Sequence, residues 1–234
     1  MGKGNNMSNR YKAVLFDLDG TLLDTLEDIT DSINEALKNY NWGSIGVDSV
    51  RRLVGNGARK LVKGVLAEIN PGQTYSDNTF DTFFSEYSVI YRKNSEVKTK
   101  PYKGVSELLE WLKNQGIYTG VLSNKPHSIT IDVLQFYFPC HKFDFIAGQR
   151  EGVPRKPDPA GAIEFCETLG LSANEVLFVG DSEVDLETGQ NAGIDCVGVL
   201  WGFRDEDTLK KCGAKALIKS PADLKSFLTR LQLP

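Results

Sequence analysis

Six short apolar runs, each bounded by glycine or a polar residue, set the fold this chain can adopt. They lie at 13–17 (AVLFD), 118–123 (YTGVLS), 144–148 (DFIAG), 175–181 (EVLFVGD), 195–199 (DCVGV) and 214–218 (AKALI). Each is too short for a helix, and the apolar stretches are near-continuous, so each reads as a strand buried on both faces. Between them lie helical patterns. In GVSELLEWLKNQG (104–116), Val105, Leu108, Leu109 and Leu112 form one stripe, and Gly116 stands where a helix C′ residue belongs. SPADLKSFLTRL (220–231) opens with Ser220 as N-cap, Pro221 at the first helical position and Asp223 completing a capping box. Strands alternating with helices predict an α/β fold: a doubly wound, Rossmann-like parallel sheet of about six strands.

One connection breaks this rhythm. After the first strand the next core-like element begins near Pro101, whereas loops in α/β units are usually about 2–6 residues long. The intervening stretch is helical in pattern. Thr25 can cap a helix carrying Leu26, Ile29, Ile33 and Leu37, and VDSVRRLV (47–54) forms a second run. GNGARKLVKGVLAEI (55–69) carries Leu61, Val62, Val65, Leu66 and Ile69, and Phe80, Phe83, Phe84 and Tyr87 mark a further helix. The expected organisation is a disordered lead-in at 1–10, a catalytic core from 11–23 and 101–234, and a small α-helical cap at 24–100. Such an insert would sit beside the carboxyl ends of the strands, where open α/β sheets bind ligands.

Composition narrows the functions open to such a fold. A net charge of −4 over 234 residues argues against nucleic acid or an anionic membrane as partner. No apolar stretch approaches the roughly 20 residues that cross a bilayer, and MGKGNNMSNRYK lacks the apolar segment of a signal peptide. Met7 is a second candidate start. Cys140, Cys166, Cys196 and Cys212 show no CxxC spacing, which predicts free thiols in a reducing cytoplasm. His127 and His141 each stand alone, so no Cys/His metal site is expected.

The chemistry is concentrated at strand ends. In VLFDLDGTLLDT (14–25), Asp17 and Asp19 close the first strand, and strand residues i and i+2 share a side. Two carboxylates about 4 Å apart cost roughly 4 kcal/mol at an effective dielectric near 20. An Asp-Gly turn explains Asp19 alone; a site with compensating cations explains both. Candidates for that compensation follow. LSNKP offers the Ser123 hydroxyl and the backbone N–H groups of Asn124 and Lys125, as an anion nest or as an ordinary turn and cap. RKPDP holds Lys156 extended before a proline, solvated or aimed into a site. VGDSEVD places Asp185 one helical turn after Asp181; a cap role explains Asp181 but not Asp185. Three or four carboxylates without histidine suit Mg²⁺, and a lysine, a hydroxyl and N–H groups suit phosphoryl oxygens.

DLDGTLLDT, LSNKP, RKPDP and GDSEVDLETGQNAG resemble, in order and spacing, the four motifs of the haloacid dehalogenase-like hydrolases. The likeness spans Tyr11 to Leu228, and the helical insert resembles that family's C1-type cap. VGNGA (54–58) and SNKP are similar to phosphoglycolate phosphatases within it. The resemblance implies an Mg²⁺-dependent phosphatase working through an aspartyl-phosphate. Asp17 would be the nucleophile. Asp19 would be the acid and base, starting the cycle protonated, a state the neighbouring Asp17 charge favours. Lys156 would offset charge on the phosphoryl group, and Ser123 and Asn124 would bind its oxygens, with Lys125, Gly20 and Thr21 in the surrounding loops. The metal would be held by Asp17, Asp19 through its carbonyl, and Asp181, with Asp185 close by.

The substrate expected from the resemblance is a small phosphorylated metabolite, with 2-phosphoglycolate first. Its carboxylate needs a donor from the cap: Asn56, Gly57 through its amide, or Arg59, with Arg51, Arg52 and Lys60 as further cations or as solvated helix faces. A β-phosphoglucomutase-like mutase shares the motifs, but its cap arginine would fall near Ala58, beside Arg59. A pyrophosphatase or nucleotidase would differ only in the cap pocket. A non-catalytic relic would lack a motif residue, and none is missing. A monomer or a homodimer is expected.

Overall fold

A computed structural model describes residues 10–230. Its strands are β1 (Ala13–Phe16), β2 (Leu23–Asp24), β3 (Lys100–Pro101), β4 (Tyr118–Pro126), β5 (Phe145–Gln149), β6 (Val176–Gly180), β7 (Asp195–Val199) and β8 (Leu217–Ile218). Six of them form one sheet in the order β5-β4-β1-β6-β7-β8, every neighbouring pair parallel. These are the six runs expected from the sequence. Burial explains why they lack polar alternation. Val14 and Phe16 enter one hydrophobic cluster with α5 (Val105–Asn114), α6 (His127–Tyr137) and α10 (Pro221–Arg230). Ala13 and Leu15 enter the other, with α7 (Ala160–Leu169), α8 (Glu183–Ala192) and α9 (Glu206–Lys211). Both faces are covered, as a doubly wound sheet requires.

The long connection after β1 holds four helices: α1 (Leu26–Asn39), α2 (Val47–Leu53), α3 (Ala58–Ile69) and α4 (Asp77–Asn94). α1 packs on α4 and α2, and α2 packs on α3. Phe83, Tyr40, Trp42 and Tyr75 form an aromatic cluster among them, with ring centroids 4.6–5.3 Å apart. Thr25 does precede α1, but its hydroxyl makes no capping bond. Sequence reading also lacks the two-residue antiparallel ribbon of β2 with β3, through which the chain leaves the core and returns. Pieces this short carry no periodicity to read.

Asp28 ties that crossing together. Buried in the first turn of α1, its carboxylate accepts the N–H groups of Val97 (3.2 Å), Lys98 (2.9 Å) and Thr99 (2.8 Å) on the returning strand. At the other end of the chain, the Asp223 N–H donates to Ser220 Oγ as the expected cap predicts, and Gly116 takes φ +68° after α5.

The lead-in expected over 1–10 lies outside the described residues except for Arg10, which pairs with Asp195 at 2.7 Å. All four cysteines are free; Cys166 and Cys196 are buried, Cys212 is half-buried and Cys140 is exposed. His127 accepts from the Gly148 N–H, and His141 bonds Thr119, so both serve the fold. No helix among the described residues is long and apolar enough to cross a membrane.

Candidate active site

Strand register brings the polar strand ends together. β1 lies between β4 and β6, with Phe16 opposite Val121 on one side and Val179 on the other. Asp17 continues the β6 ladder, its N–H donating to the Val179 carbonyl at 2.9 Å. Asp17 and Asp181 therefore emerge at the carboxyl ends of the two central strands, and Ser123 lies beside them on β4, two residues past Val121. The chain order reverses about β1, the place where ligands of open sheets bind.

Three carboxylates converge there. Oxygens of Asp17, Asp181 and Asp185, all buried, lie within 4.8 Å of one another. Lys156 answers them, its Nζ 2.7 Å from both Asp17 Oδ1 and Asp185 Oδ1 with its side chain 3% exposed. The other Asp185 oxygen accepts from the Ser182 N–H (3.1 Å) and hydroxyl (2.6 Å), which fixes it at the start of α8. Asp181 Oδ2 accepts the Phe203 N–H at 2.7 Å, and Asp181 Oδ1 accepts the Thr21 hydroxyl at 3.3 Å.

The packing leaves no room for side chains at the glycines beside this cluster. Gly20 takes φ +92°, and a Cβ there would lie 2.3 Å from Asp181 Oδ2. A Cβ on Gly202 would lie 2.3 Å from Asp181 Cβ.

The electrostatics match a site built for a cation. Burial pushes Asp17 well above the ordinary carboxylate range, Asp185 adds to the rise, and Lys156 opposes it. Burial and the Asp185 charge push Asp181 up to about 7, against the Phe203 N–H. Burial alone would lower Lys156, but the charges of Asp17 and Asp185 hold its ammonium above its usual value. One lysine does not neutralise three carboxylates, and an all-oxygen, histidine-free donor set is what Mg²⁺ takes. The residues present fit that ion.

Several expected residues stand elsewhere. The Asp19 carboxylate does not join the three-carboxylate cluster; it turns to Lys125 Nζ, at 2.7 and 3.0 Å. Its side chain is therefore no metal donor, which leaves only the carbonyl that the resemblance assigns. The Asp19 carboxylate thus faces the Lys125 ammonium and not the neighbouring Asp17. Thr21 spends its hydroxyl on Asp181 and its carbonyl on Trp201 Nε1 (2.9 Å), and it does not line the pocket. The Lys125 N–H folds back to Ser123 Oγ at 3.2 Å, which takes it out of any anion nest. Arg59 pairs with Asp81 at 2.6 Å and lies over the rings of Phe80 and Phe84, on the cap surface. Neither Arg59 nor Asn56 lines the pocket, whereas Gly57 and Ala58 do.

The cap is docked on the core. Asn124 Nδ2 donates to the Gly55 carbonyl and to the Lys156 carbonyl, both at 3.0 Å. Arg204 holds Glu183 with Nε at 2.8 Å and donates to the carbonyls of Arg51 (2.7 Å) and Val54 (2.8 Å), the free end of α2. Lys125 Nζ donates to the Tyr91 hydroxyl of α4 at 2.6 Å. Burial pushes that phenol well above its ordinary range, so it stays neutral beside the ammonium. Under the docked cap lies a pocket of about 60 Å³, reached by Asp17, Asp19, Ser123 and Asn124. Sequence reading missed Tyr91, Arg204 and the Trp201–Gly202–Phe203 turn. A usable signal existed for the turn and for Arg204, since they follow the carboxyl end of β7 as the other motifs follow theirs. Tyr91 continues the aromatic stripe of α4 one turn beyond Tyr87.

A buried cluster of three carboxylates and a lysine at the switch point of a doubly wound sheet, covered by inserted helices, suits a phosphoryl-group enzyme. Residues 14–199 match the model of the haloacid dehalogenase-like hydrolases, and the chain belongs to that family. The phosphoglycolate phosphatase of Aquifex aeolicus is 33% identical over 196 residues, covering 82% of this chain and 86% of that one. That of Psychrobacter arcticus is 33% identical over 196 residues, covering 81% and 84%. The crystal structure of a predicted phosphoglycolate phosphatase from Haemophilus somnus 129pt superposes with a TM-score of 0.87 at 29% identity, covering 94% of this chain and 99% of that one. The phosphatase class expected from the motifs is the class these relatives carry.

Proposed function

We propose that this chain hydrolyses a small phosphomonoester, 2-phosphoglycolate first among candidates, through a phosphoryl group carried on Asp17. The observation that supports it most is the Asp17–Lys156–Asp185 bridge beside Asp181, with Asp17 reaching into the pocket under the inserted helices. A buried carboxylate that neighbours only one ammonium and two more carboxylates is a poor structural element and a good nucleophile once its repulsion is relieved. Mg²⁺, held by Asp17, the Asp19 carbonyl and Asp181 with Asp185 beside it, would draw negative charge from the phosphoryl oxygens. Lys156 holds Asp17 in one orientation and adds a positive charge on the same side. The Ser123 hydroxyl and the Asn124 N–H bind the remaining oxygens.

In the first step an Asp17 oxygen forms a bond to phosphorus as the bond to the leaving oxygen breaks. Asp19, entering the cycle in its acid form and exchanging Lys125 for that oxygen, gives it its proton. In the second step Asp19 takes a proton from water, the water oxygen bonds to phosphorus, and the aspartyl bond breaks to release phosphate. The cap keeps other water out between the steps. The experiment is an assay of phosphate release from 2-phosphoglycolate with Mg²⁺ and with excess EDTA, together with acid-quench trapping of a phosphorylated Asp17. Full activity in EDTA, or turnover with no trapped phosphoenzyme in repeated quenches, would overturn the reading.

A further inference from the structure

The pocket needs an anion receptor, and the inserted helices supply no charged one. They line it with Ile29, Val54, Ala58, Leu61 and Tyr87, the backbone of Gly57 and the Ser88 hydroxyl, and Ile129 of α6 closes the apolar wall. The arginines expected to serve are engaged on the surface: Arg59 with Asp81, Arg52 with Glu68 and Arg51 beside Asp48. Among the described residues lining the pocket the one cationic side chain is Lys125. It is 3% exposed, and its Nζ lies 2.7 Å from Asp19 Oδ1, 2.6 Å from the Tyr91 hydroxyl and 4.8 Å from the centre of the Tyr91 ring. Asp19 is the group that must meet the leaving oxygen, so a substituent one or two atoms beyond that oxygen comes to lie beside Lys125. The pocket volume of about 60 Å³ suits a small leaving group.

We propose that the Lys125 ammonium is the specificity-determining receptor for a carboxylate on a short leaving group, so that the core motif itself, and not a cap arginine, reads the acid. Tyr91 makes the receptor dependent on closure, because the ammonium is held in place from the α4 side only while the cap is docked. A carboxylate enclosed by apolar walls requires a paired cation, and Lys125 meets that need with donors it already shares between Asp19 and Tyr91. The inference rests on the phosphoglycolate reading above and adds a residue to it.

Three substrates of matched length test it: 2-phosphoglycolate, ethyl phosphate and 2-aminoethyl phosphate, with leaving groups that are anionic, neutral and cationic. The wild-type enzyme is expected to favour them in that order in kcat/KM, with roughly ten- to a hundredfold between the first two. In Lys125→Met the ratio of phosphoglycolate to ethyl phosphate should collapse towards one, whatever loss the two share through Asp19. Lys125→Arg should keep most of the ratio. If Lys125→Met does not fold, Lys125→Gln is judged on the same ratio. A wild-type preference that survives in the variant overturns the proposal and leaves the phosphoglycolate reading standing. A wild-type enzyme that treats the first two substrates alike overturns both.

Discussion

Asp17 shows what the proposed chemistry asks of a single side chain. It is buried against two like charges and held by one lysine, an arrangement that costs free energy until a cation joins it. Asp17→Asn keeps the shape and removes the charge. We expect turnover to fall more than about a thousandfold, while the melting temperature of the metal-free protein does not fall. A variant within tenfold of wild-type turnover would remove Asp17 from the role of nucleophile. The two aspartates one residue apart were legible in the sequence, and so was the presence of compensating charge. Which lysine answers which carboxylate was not. Lys125 stands near the end of β4 and Lys156 in the loop after β5, and only their side-chain directions assign Lys156 to Asp17 and Asp185 and Lys125 to Asp19.

At the scale of elements, the inserted helices share one hydrophobic cluster with the core and add a few polar contacts at its edges. Arg204 closes the carboxyl end of α2 by donating to two carbonyls that helix geometry leaves unpaired. Arg204→Ala should therefore loosen docking without unfolding either part. We expect kcat/KM for 2-phosphoglycolate to drop roughly tenfold, the loss of one or two charge-assisted bonds, with an unchanged circular dichroism spectrum; unaltered kinetics would show that the contact does not control closure. Gly57 makes the same point sterically. It takes φ +86°, and a Cβ there would sit 3.3 Å from Arg155 Nη1 and 3.5 Å from the Asn124 carbonyl. Gly57→Val should impair 2-phosphoglycolate turnover more than turnover of a substrate that needs no cap contact, and equal losses would argue against a specificity role for this loop. Asp28 belongs to this scale too. Asp28→Ala leaves the N–H groups of Val97, Lys98 and Thr99 without their shared acceptor; the buried Thr99 N–H costs about 1–3 kcal/mol as an orphan, and the two part-buried ones cost less. We expect a destabilisation of about 2–4 kcal/mol in denaturant unfolding, and a change below about 0.5 kcal/mol would contradict this account of the ribbon.

For the whole molecule the carboxylate cluster couples stability to pH and, on the function proposed above, to Mg²⁺. Asp181 binds its proton with a pKa of about 7 in the folded protein, against an ordinary 3.8. Between those values the folded state holds more protons than the unfolded chain, so this contribution is fully present below about pH 4 and is lost as pH rises through about 7. Asp17 shifts in the same direction. In EDTA the melting temperature should fall from pH 5 to pH 8 through these groups. Mg²⁺ competes with their protons, so the rise in melting temperature it produces should be larger at pH 8 than at pH 5. Thermal melts at the two pH values, with and without Mg²⁺, measure this; a gain independent of pH would separate the cluster from metal binding.

The sequence by itself determined the six-stranded sheet and the identity of the charged strand ends, because a strand buried on both faces must be apolar along its length and can turn polar only where it leaves the core. Val14 to Phe16 and Val176 to Val179 carry that constraint in every residue, and the motif aspartates follow directly behind them. It also determined that helices fill the long connection, since Leu26, Ile29, Ile33 and Leu37 repeat at helical spacing. Only the tertiary structure decided what lines the pocket. Arg59 and Asn56 are close in sequence to Gly57, yet a helix turns side chains about 100° per residue, so Ala58 faces the site while Arg59 reaches Asp81. Tyr91, Arg204 and Lys125 meet their partners across 34 to 153 residues of chain, and contacts of that kind follow from how the cap sits on the sheet, which no local pattern encodes.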